Sequence, residues 1–261
     1  MDFNSINDYI RCSFNQGVDK SSEGNPIIVE VYFARTNDLL NEYRGLTSYF
    51  CENDIIKATK FHSKEDSNTW LFCHTLLRLI ISAKLGVDPS DVTIIYDGNN
   101  KPYIEGNSLY FNISHTRDSF AFAISDMVRI GLDLEKTNMY FDYVSIISDY
   151  FNPQEIQYIL ADLSNSREKF FLLWTRKEAI LKALGIGIID RLSEVEVFRE
   201  INFLNREHFD NLVDDHLFCD HYIYSWKVFN HYLSIAIPCK ACFNIFHMDV
   251  ERVKSYLKNN I

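Results

Sequence analysis

The 261-residue chain has no long apolar run, and no window approaches the roughly 18 apolar residues that a membrane span needs. Met1 to Phe14 carries neither a basic leader nor the apolar stretch of a signal peptide. Together these absences predict a cytoplasmic protein with no membrane partner. Positive charge is in deficit: 26 Lys and Arg against 36 Asp and Glu leave a net charge of −10, which argues against general nucleic-acid binding. Six cysteines lie scattered at 12, 51, 73, 219, 239 and 242, and the one CxxC, Cys239 to Cys242, has no second pair. They read as reduced thiols rather than a metal or redox centre. The eight histidines include no HxH or HExxH, so no zinc site is expected. There is no Walker loop, no GxGxxG, and Ser114 does not sit in a nucleophile elbow. Any phosphate must therefore be held by side chains, a metal and local amides. No repeat of 20–50 residues appears, which excludes a solenoid.

What is present suits a packed protein. The chain is 47% hydrophobic, with 20 Phe and 15 Tyr, enough for one large domain or two small ones. Residues 1–25 are polar and loop-like, and are expected to be a leader outside the core. Two long helices are predicted, over Lys64–Leu85 and Arg167–Leu184, each stopped by a glycine, Gly86 and Gly185. Strands are predicted at 27–33, 92–96, 109–113, 120–124, 128–134, 195–198, 222–229 and 232–237, and a terminal amphipathic helix at 248–257. Phe72–Gly86 and Phe171–Gly185 each run from an aromatic through a basic residue to Leu-Gly, and each is followed by a strand pair. This ordering predicts an α+β protein of two similar halves, 26–128 and 129–261, each a long helix on a small, largely antiparallel sheet. Two unrelated amphipathic helices would give the same resemblance by chance.

The chemistry gathers around Gly131-Leu132-Asp133-Leu134-Glu135. Apolar Ile130, Leu132 and Leu134 alternate with Gly131, Asp133 and Glu135, the period of a strand, so Asp133 and Glu135 share a face. Side-by-side carboxylates repel unless a cation or a proton intervenes. Carboxylates with phosphate oxygens suit a hard divalent cation. Alone, the pair equally describes a solvated acidic edge. The second long helix adds Trp174, Glu178 and Lys182 at i, i+4 and i+8, one stripe of the helix. That stripe is either a surface ion pair or a third carboxylate and an ammonium turned toward the strand.

Together, Gly131–Glu135 and Trp174-Thr175-Arg176-Lys177-Glu178-Ala179 resemble the two signature motifs of the 4′-phosphopantetheinyl transferases. Phe111-Asn112-Ile113-Ser114-His115, Asn100-Lys101-Pro102-Tyr103 and Phe61–Asp66 with Leu76-Leu77-Arg78 extend the resemblance over about residues 57–190. It is closest to the long, monomeric type that activates peptide and polyketide synthetases, typified by the surfactin-synthetase activator. The resemblance implies a pseudo-twofold monomer with its active site in a cleft between the halves. It also implies transfer of the phosphopantetheine arm of coenzyme A to a serine of an apo acyl- or peptidyl-carrier protein, releasing 3′,5′-ADP. Asp133, Glu135 and Glu178 would hold Mg²⁺, with Mn²⁺ as an alternative. Glu178 would be the general base, directly or through a metal-bound water. Lys182 and His115, with Ser114, would contact coenzyme A phosphates, and Lys101 and Pro102 would lie by the adenine. Lys177 would sit beside the pyrophosphate or help place the helix.

Two departures from the pattern stand out. Lys57 matches one basic position for the 3′-phosphate, but Asp54 and Thr69 occupy two others, leaving Lys60, Lys64 or Arg78 to compensate. Asn99-Asn100 replaces the glycine before Lys101-Pro102, and Asn tolerates positive φ better than most residues. Because carrier proteins tend to be acidic, as this chain is, docking must rest on apolar contacts or a local basic patch. The competing readings are another metal-dependent phosphohydrolase or nucleotidyl enzyme, and a non-catalytic carrier-binding module.

Overall fold

The computed structural model describes residues 11–12, 27–40, 43–104, 106, 109–186, 192–199, 202–205 and 220–260. Of the leader expected over 1–25, only the short strand β1 (Arg11–Cys12) falls within the described residues. The fold is α+β, and the described chain forms two compact units. Of the described residues, one comprises 11–12, those within 28–126, and 242–260, the other 27 and those within 127–241.

The first unit holds β2 (Ile28–Arg35), then α1 (Thr36–Leu39), α2 (Tyr43–Thr47), α3 (Glu52–Ala58) and α4 (Lys64–Leu85). The hairpin β3 (Ile94–Tyr96) and β4 (Pro102–Ile104) follows, then β5 (Tyr110–His115) and β6 (Ser119–Ser125). Helix α4 starts where Ser63 Oγ accepts from the Glu65 and Asp66 amides, and stops where Gly86 takes φ +67°. Its middle is buried nearly all round. Phe72, Leu76 and Ile80 join Phe120 and Phe122 of β6 in one core.

The chain's end completes this unit. Strand β11 (Cys242–His247) lies parallel to β2, with Phe243 beside Val29 and Ile245 beside Val31. Helix α8 (Val250–Asn260) adds Val253 to the same core. The sheet order is β1-β11-β2-β6-β5. Residues 242–260 therefore belong with the first half of the chain, which corrects the boundary expected at 129–261. A parallel neighbour is supplied by a long crossover, and no local pattern announces it.

The second unit holds β7 (Gly131–Lys136), α5 (Ile147–Tyr150), α6 (Pro153–Leu160), α7 (Ser166–Leu184), β8 (Asn202–Leu204), β9 (His221–Val228) and β10 (His231–Ile237). Its sheet is wholly antiparallel in the order β7-β10-β9-β8, and α7 packs across β7, β10 and β9. Helix α6 opens with a capping box: Asn152 accepts from the Gln154 and Glu155 amides, and Glu155 reaches back to the Asn152 amide.

The strand expected at 195–198 does not form. Val195 and Val197 are buried as a strand pattern requires, but side chains take up the backbone groups. Lys177 donates to the Val195 carbonyl, Arg176 donates to the Val197 carbonyl, and Glu155 accepts from the Val197 amide. Those groups are satisfied without a ladder, and the β8 strand begins only at Asn202.

Candidate active site

Strand β7 is the edge of its sheet, yet its acidic face is not solvated. Gly131 through Leu134 are all buried, and helix α7 lies against the strand. The approach is close enough that a Cβ on Gly131 would stand 2.0 Å from the Ala179 carbonyl oxygen and 2.2 Å from the Ala183 amide. Gly131, Asp133 and Glu135 alternate onto one face of the strand. Glu178 and Lys182 flank Ala179 on the helix, which brings all four charged groups together.

Lys182 Nζ lies 2.7 Å from Asp133 Oδ1, with the Asp133 side chain only 5% exposed. Burial, and then the charge of Asp133, push the Glu135 carboxyl up to about 8; Lys182 pulls the other way, and Glu178 adds to the rise. Burial and Asp133 push Glu178 up to about 7, again opposed by Lys182. Glu135 also accepts a hydrogen bond from Trp174. The Trp174 indole is fixed by stacking on Phe170 at 5.9 Å and by Tyr150 edge-on at 5.3 Å. The sequence placed Trp174 on the right stripe but gave it no task; here it favours the charged form of Glu135.

Behind the carboxylates, Ser234 of β10 stands opposite Asp133 and pairs with Ser225 Oγ at 2.9 Å. Arg176 Nε donates to Ser225, and its Nη1 donates to the Val197 and Arg199 carbonyls. This half-buried guanidinium, absent from the expected site, ties the irregular 195–199 segment to the middle of α7.

Lys177 lies inside the core of the second unit. It is fully buried, 2.9 Å from Glu155, and donates to the Leu192 and Val195 carbonyls. Burial pushes Glu155 up and Lys177 down, and each partner pulls the other back. Placing Lys177 beside a pyrophosphate is thereby corrected, because its ammonium is committed inside the core.

The donor set suits a hard divalent cation in kind: three carboxylates, with Asp133 paired to the Lys182 ammonium. Among the described residues, no three His, Cys, Asp or Glu side chains are gathered tightly enough to hold a metal ion as they stand. Carboxylates packed this close repel one another until a cation or protons intervene.

The remaining site residues belong to the first unit. Lys57 on α3 lies with its Nζ 3.7 Å from the Tyr96 ring centroid and 5.6 Å from that of Trp70. Ser114 is buried on β5 and His115 is exposed at its end, edge-on to Trp70 at 6.3 Å. Asp97 Oδ1 accepts from the Asn99 and Lys101 amides, and Asn100 adopts φ +61°, so the turn before Lys101-Pro102 is made without glycine. Lys101 and Pro102 are half-buried where β4 begins.

Arg78 corrects another expectation. It is buried, 2.7 Å from Asp54, and donates to the Val92 carbonyl, so it cannot compensate at a phosphate. Asp54 and Thr69 broke the expected basic pattern because they are structural: Asp54 neutralises Arg78, and Thr69 bonds Thr36 and the Arg117 carbonyl. Lys57 stays within the aromatic group, while Lys60 and Lys64 are exposed.

No helix among the described residues is long and apolar enough to cross a membrane. The 4′-phosphopantetheinyl transferase superfamily model matches residues 129–236, and the model of the 4′-phosphopantetheinyl transferase N-terminal region matches 37–127. The 4′-phosphopantetheinyl transferase HetI of Nostoc sp. is 30% identical over 162 residues, covering 60% of this chain and 68% of HetI. The 4′-phosphopantetheinyl transferase Sfp of Bacillus subtilis is 31% identical over 134 residues, 51% of this chain and 58% of Sfp. The L-aminoadipate-semialdehyde dehydrogenase-phosphopantetheinyl transferase of Schizosaccharomyces pombe is 31% identical over 167 residues, 57% of this chain and 64% of the relative. The chain thus spans between about half and two thirds of the length of these relatives. Two adjoining family matches, one of them falling on the very strand and helix that gather the carboxylates, lead to one conclusion: this chain belongs to the 4′-phosphopantetheinyl transferase superfamily.

Proposed function

We propose that the protein transfers the 4′-phosphopantetheine arm of coenzyme A to a serine of an apo acyl- or peptidyl-carrier protein and releases 3′,5′-ADP. The observation that carries this reading is the packing of β7 on α7 at Gly131, which assembles Asp133, Glu135, Glu178 and Lys182 in one partly buried place. The serine oxygen forms a bond to the β-phosphorus, and the bond from that phosphorus to the bridging oxygen breaks. Glu178 accepts the serine proton. Lys182 faces the phosphate oxygens as a point charge, and Trp174 favours the charged form of Glu135. Asp133, Glu135 and Glu178 would hold Mg²⁺ or Mn²⁺, which neutralises pyrophosphate charge when bound.

Coenzyme A contacts in the first unit are assigned to Lys57, Lys101, Pro102, Ser114 and His115. The two units are read as repeats of one plan, each a long glycine-stopped helix on a largely antiparallel sheet. The protein is read as a cytoplasmic monomer. Incubating the protein with coenzyme A, Mg²⁺ and a panel of apo-carriers tests the reading: one carrier gains the mass of a single phosphopantetheine. Consumption of coenzyme A with no carrier modified would contradict it.

A further inference from the structure

The first unit contains a chain of contacts that the proposed chemistry does not use. His74, on α4, is 2% exposed and stacks on Trp70 with ring centroids 3.7 Å apart. Its Nδ1 lies 3.0 Å from the Trp70 carbonyl oxygen, and its Nε2 lies 3.4 Å from Tyr96 Oη. A carbonyl only accepts, so the neutral ring carries its proton on Nδ1 and presents Nε2 as an acceptor. The Tyr96 hydroxyl then donates to His74, which fixes the ring. The Lys57 ammonium sits 3.7 Å above that ring.

Lysine is a flexible point charge on a four-carbon stem, and it loses much rotamer freedom when it binds a phosphate. Packing against aromatic faces removes that freedom beforehand, which is preorganisation. Among the described residues the charged neighbours of Lys57 are few: Asp54 of α3 and Lys60 in the turn just after it, with Asp54 turned to Arg78. Tyr96 is therefore what fixes the ammonium's position.

We infer that Tyr96, held in turn by His74, is a positioning residue: its ring seats the Lys57 ammonium that meets the 3′-phosphate of coenzyme A. It thereby sets discrimination between coenzyme A and its 3′-dephospho form. The inference rests on the reading of Lys57 as a coenzyme A contact. It explains how one lysine serves where Asp54 and Thr69 supply no positive charge.

The test compares transfer from coenzyme A and from 3′-dephospho-coenzyme A for the wild type, Lys57→Ala, Tyr96→Leu and Tyr96→Phe. Tyr96→Leu raises KM for coenzyme A about five- to tenfold, leaves kcat unchanged and leaves KM for the dephospho form unchanged. Tyr96→Phe keeps the ring but loses the hydroxyl that His74 holds, so its KM for coenzyme A rises about two- to threefold, between the wild type and Tyr96→Leu, and KM for the dephospho form stays unchanged. The ratio between two substrates is taken on one preparation, so a smaller folded fraction does not alter it. No transfer by the wild type would overturn the proposed function itself. Lys57→Ala with unchanged discrimination would overturn the role of Lys57 and this inference with it. If Lys57→Ala loses discrimination while Tyr96→Leu keeps it, or if Tyr96→Phe behaves like Tyr96→Leu, the positioning role alone falls.

Discussion

Gly131→Ala is the smallest change that reaches the centre of the proposed site. The added methyl would meet the Ala179 carbonyl oxygen at 2.0 Å, the Ala183 amide nitrogen at 2.2 Å and the Ala183 Cα at 2.8 Å. All three are helix backbone, so no rotamer change relieves the clash. Ordinary contact begins near 3.4 Å, and α7 would have to withdraw from β7 by about 1.4 Å. Overpacking a core by one methylene costs about 1–3 kcal/mol when side chains can yield. Backbone yields less, so about 3 kcal/mol is expected, a fall in Tm of roughly 6–12 °C by calorimetry. The same withdrawal carries Glu178 and Lys182 away from Asp133 and Glu135, and a displacement near 1 Å is worth about a hundredfold in rate. Gly86→Ala is the control. Gly86 has φ +67° but nothing within 4 Å of its would-be Cβ, so it costs only about 1 kcal/mol of backbone strain and leaves activity alone. A Gly131→Ala protein melting within about 2 °C of the wild type, with transfer within about twofold, would refute the reasoning.

Other consequences concern the groups buried around the site. Lys177→Met strands Glu155 inside the second unit, where it is 0% exposed, and costs about 3–5 kcal/mol in denaturant unfolding. A loss of coenzyme A affinity with stability intact would instead return Lys177 to the ligand. His74 titrates near 4 because burial outweighs the opposing pull of Asp54, so the unfolded chain binds its proton first as pH falls from 6.5. Its contribution is full above pH 6.5 and is lost toward pH 4, up to about 3 kcal/mol. His74→Leu flattens the pH dependence of unfolding in that window; an unchanged slope would show that His74 is not buried neutral.

Much of this arrangement was legible because the governing interactions are local. Ser63, Gly86 and Gly185 mark helix ends through caps that a few residues determine, and both long helices fall within a residue of expectation. The period-two pattern at Gly131–Glu135 gave the strand and the shared face of its carboxylates. It could not show that α7 covers that face, since both a solvated edge and a helix-covered one satisfy the same alternation. Long-range pairing was hidden for the same reason, and β11 found its parallel neighbour β2 across more than two hundred residues. Lys177 and Arg78 misled because a basic residue in a signature helix looks the same whether it meets a phosphate or a buried carboxylate. Glu155 and Asp54, their partners, lie 22 and 24 positions away in sequence, outside any helical spacing. His74, Trp70 and Tyr96 were missed because their meaning lies in ring geometry, which a linear pattern does not carry.

The central claim is that Asp133, Glu135, Glu178 and Lys182 form a site for phosphopantetheine transfer. Intact-mass measurement of an apo-carrier after incubation with coenzyme A and Mg²⁺ tests it most directly, with the wild type beside Glu178→Gln. The account predicts one phosphopantetheine added to a single carrier serine by the wild type, with the rate reduced by at least about a hundredfold in Glu178→Gln. Full transfer by Glu178→Gln, or no carrier modified by a folded wild type that binds coenzyme A, would contradict it.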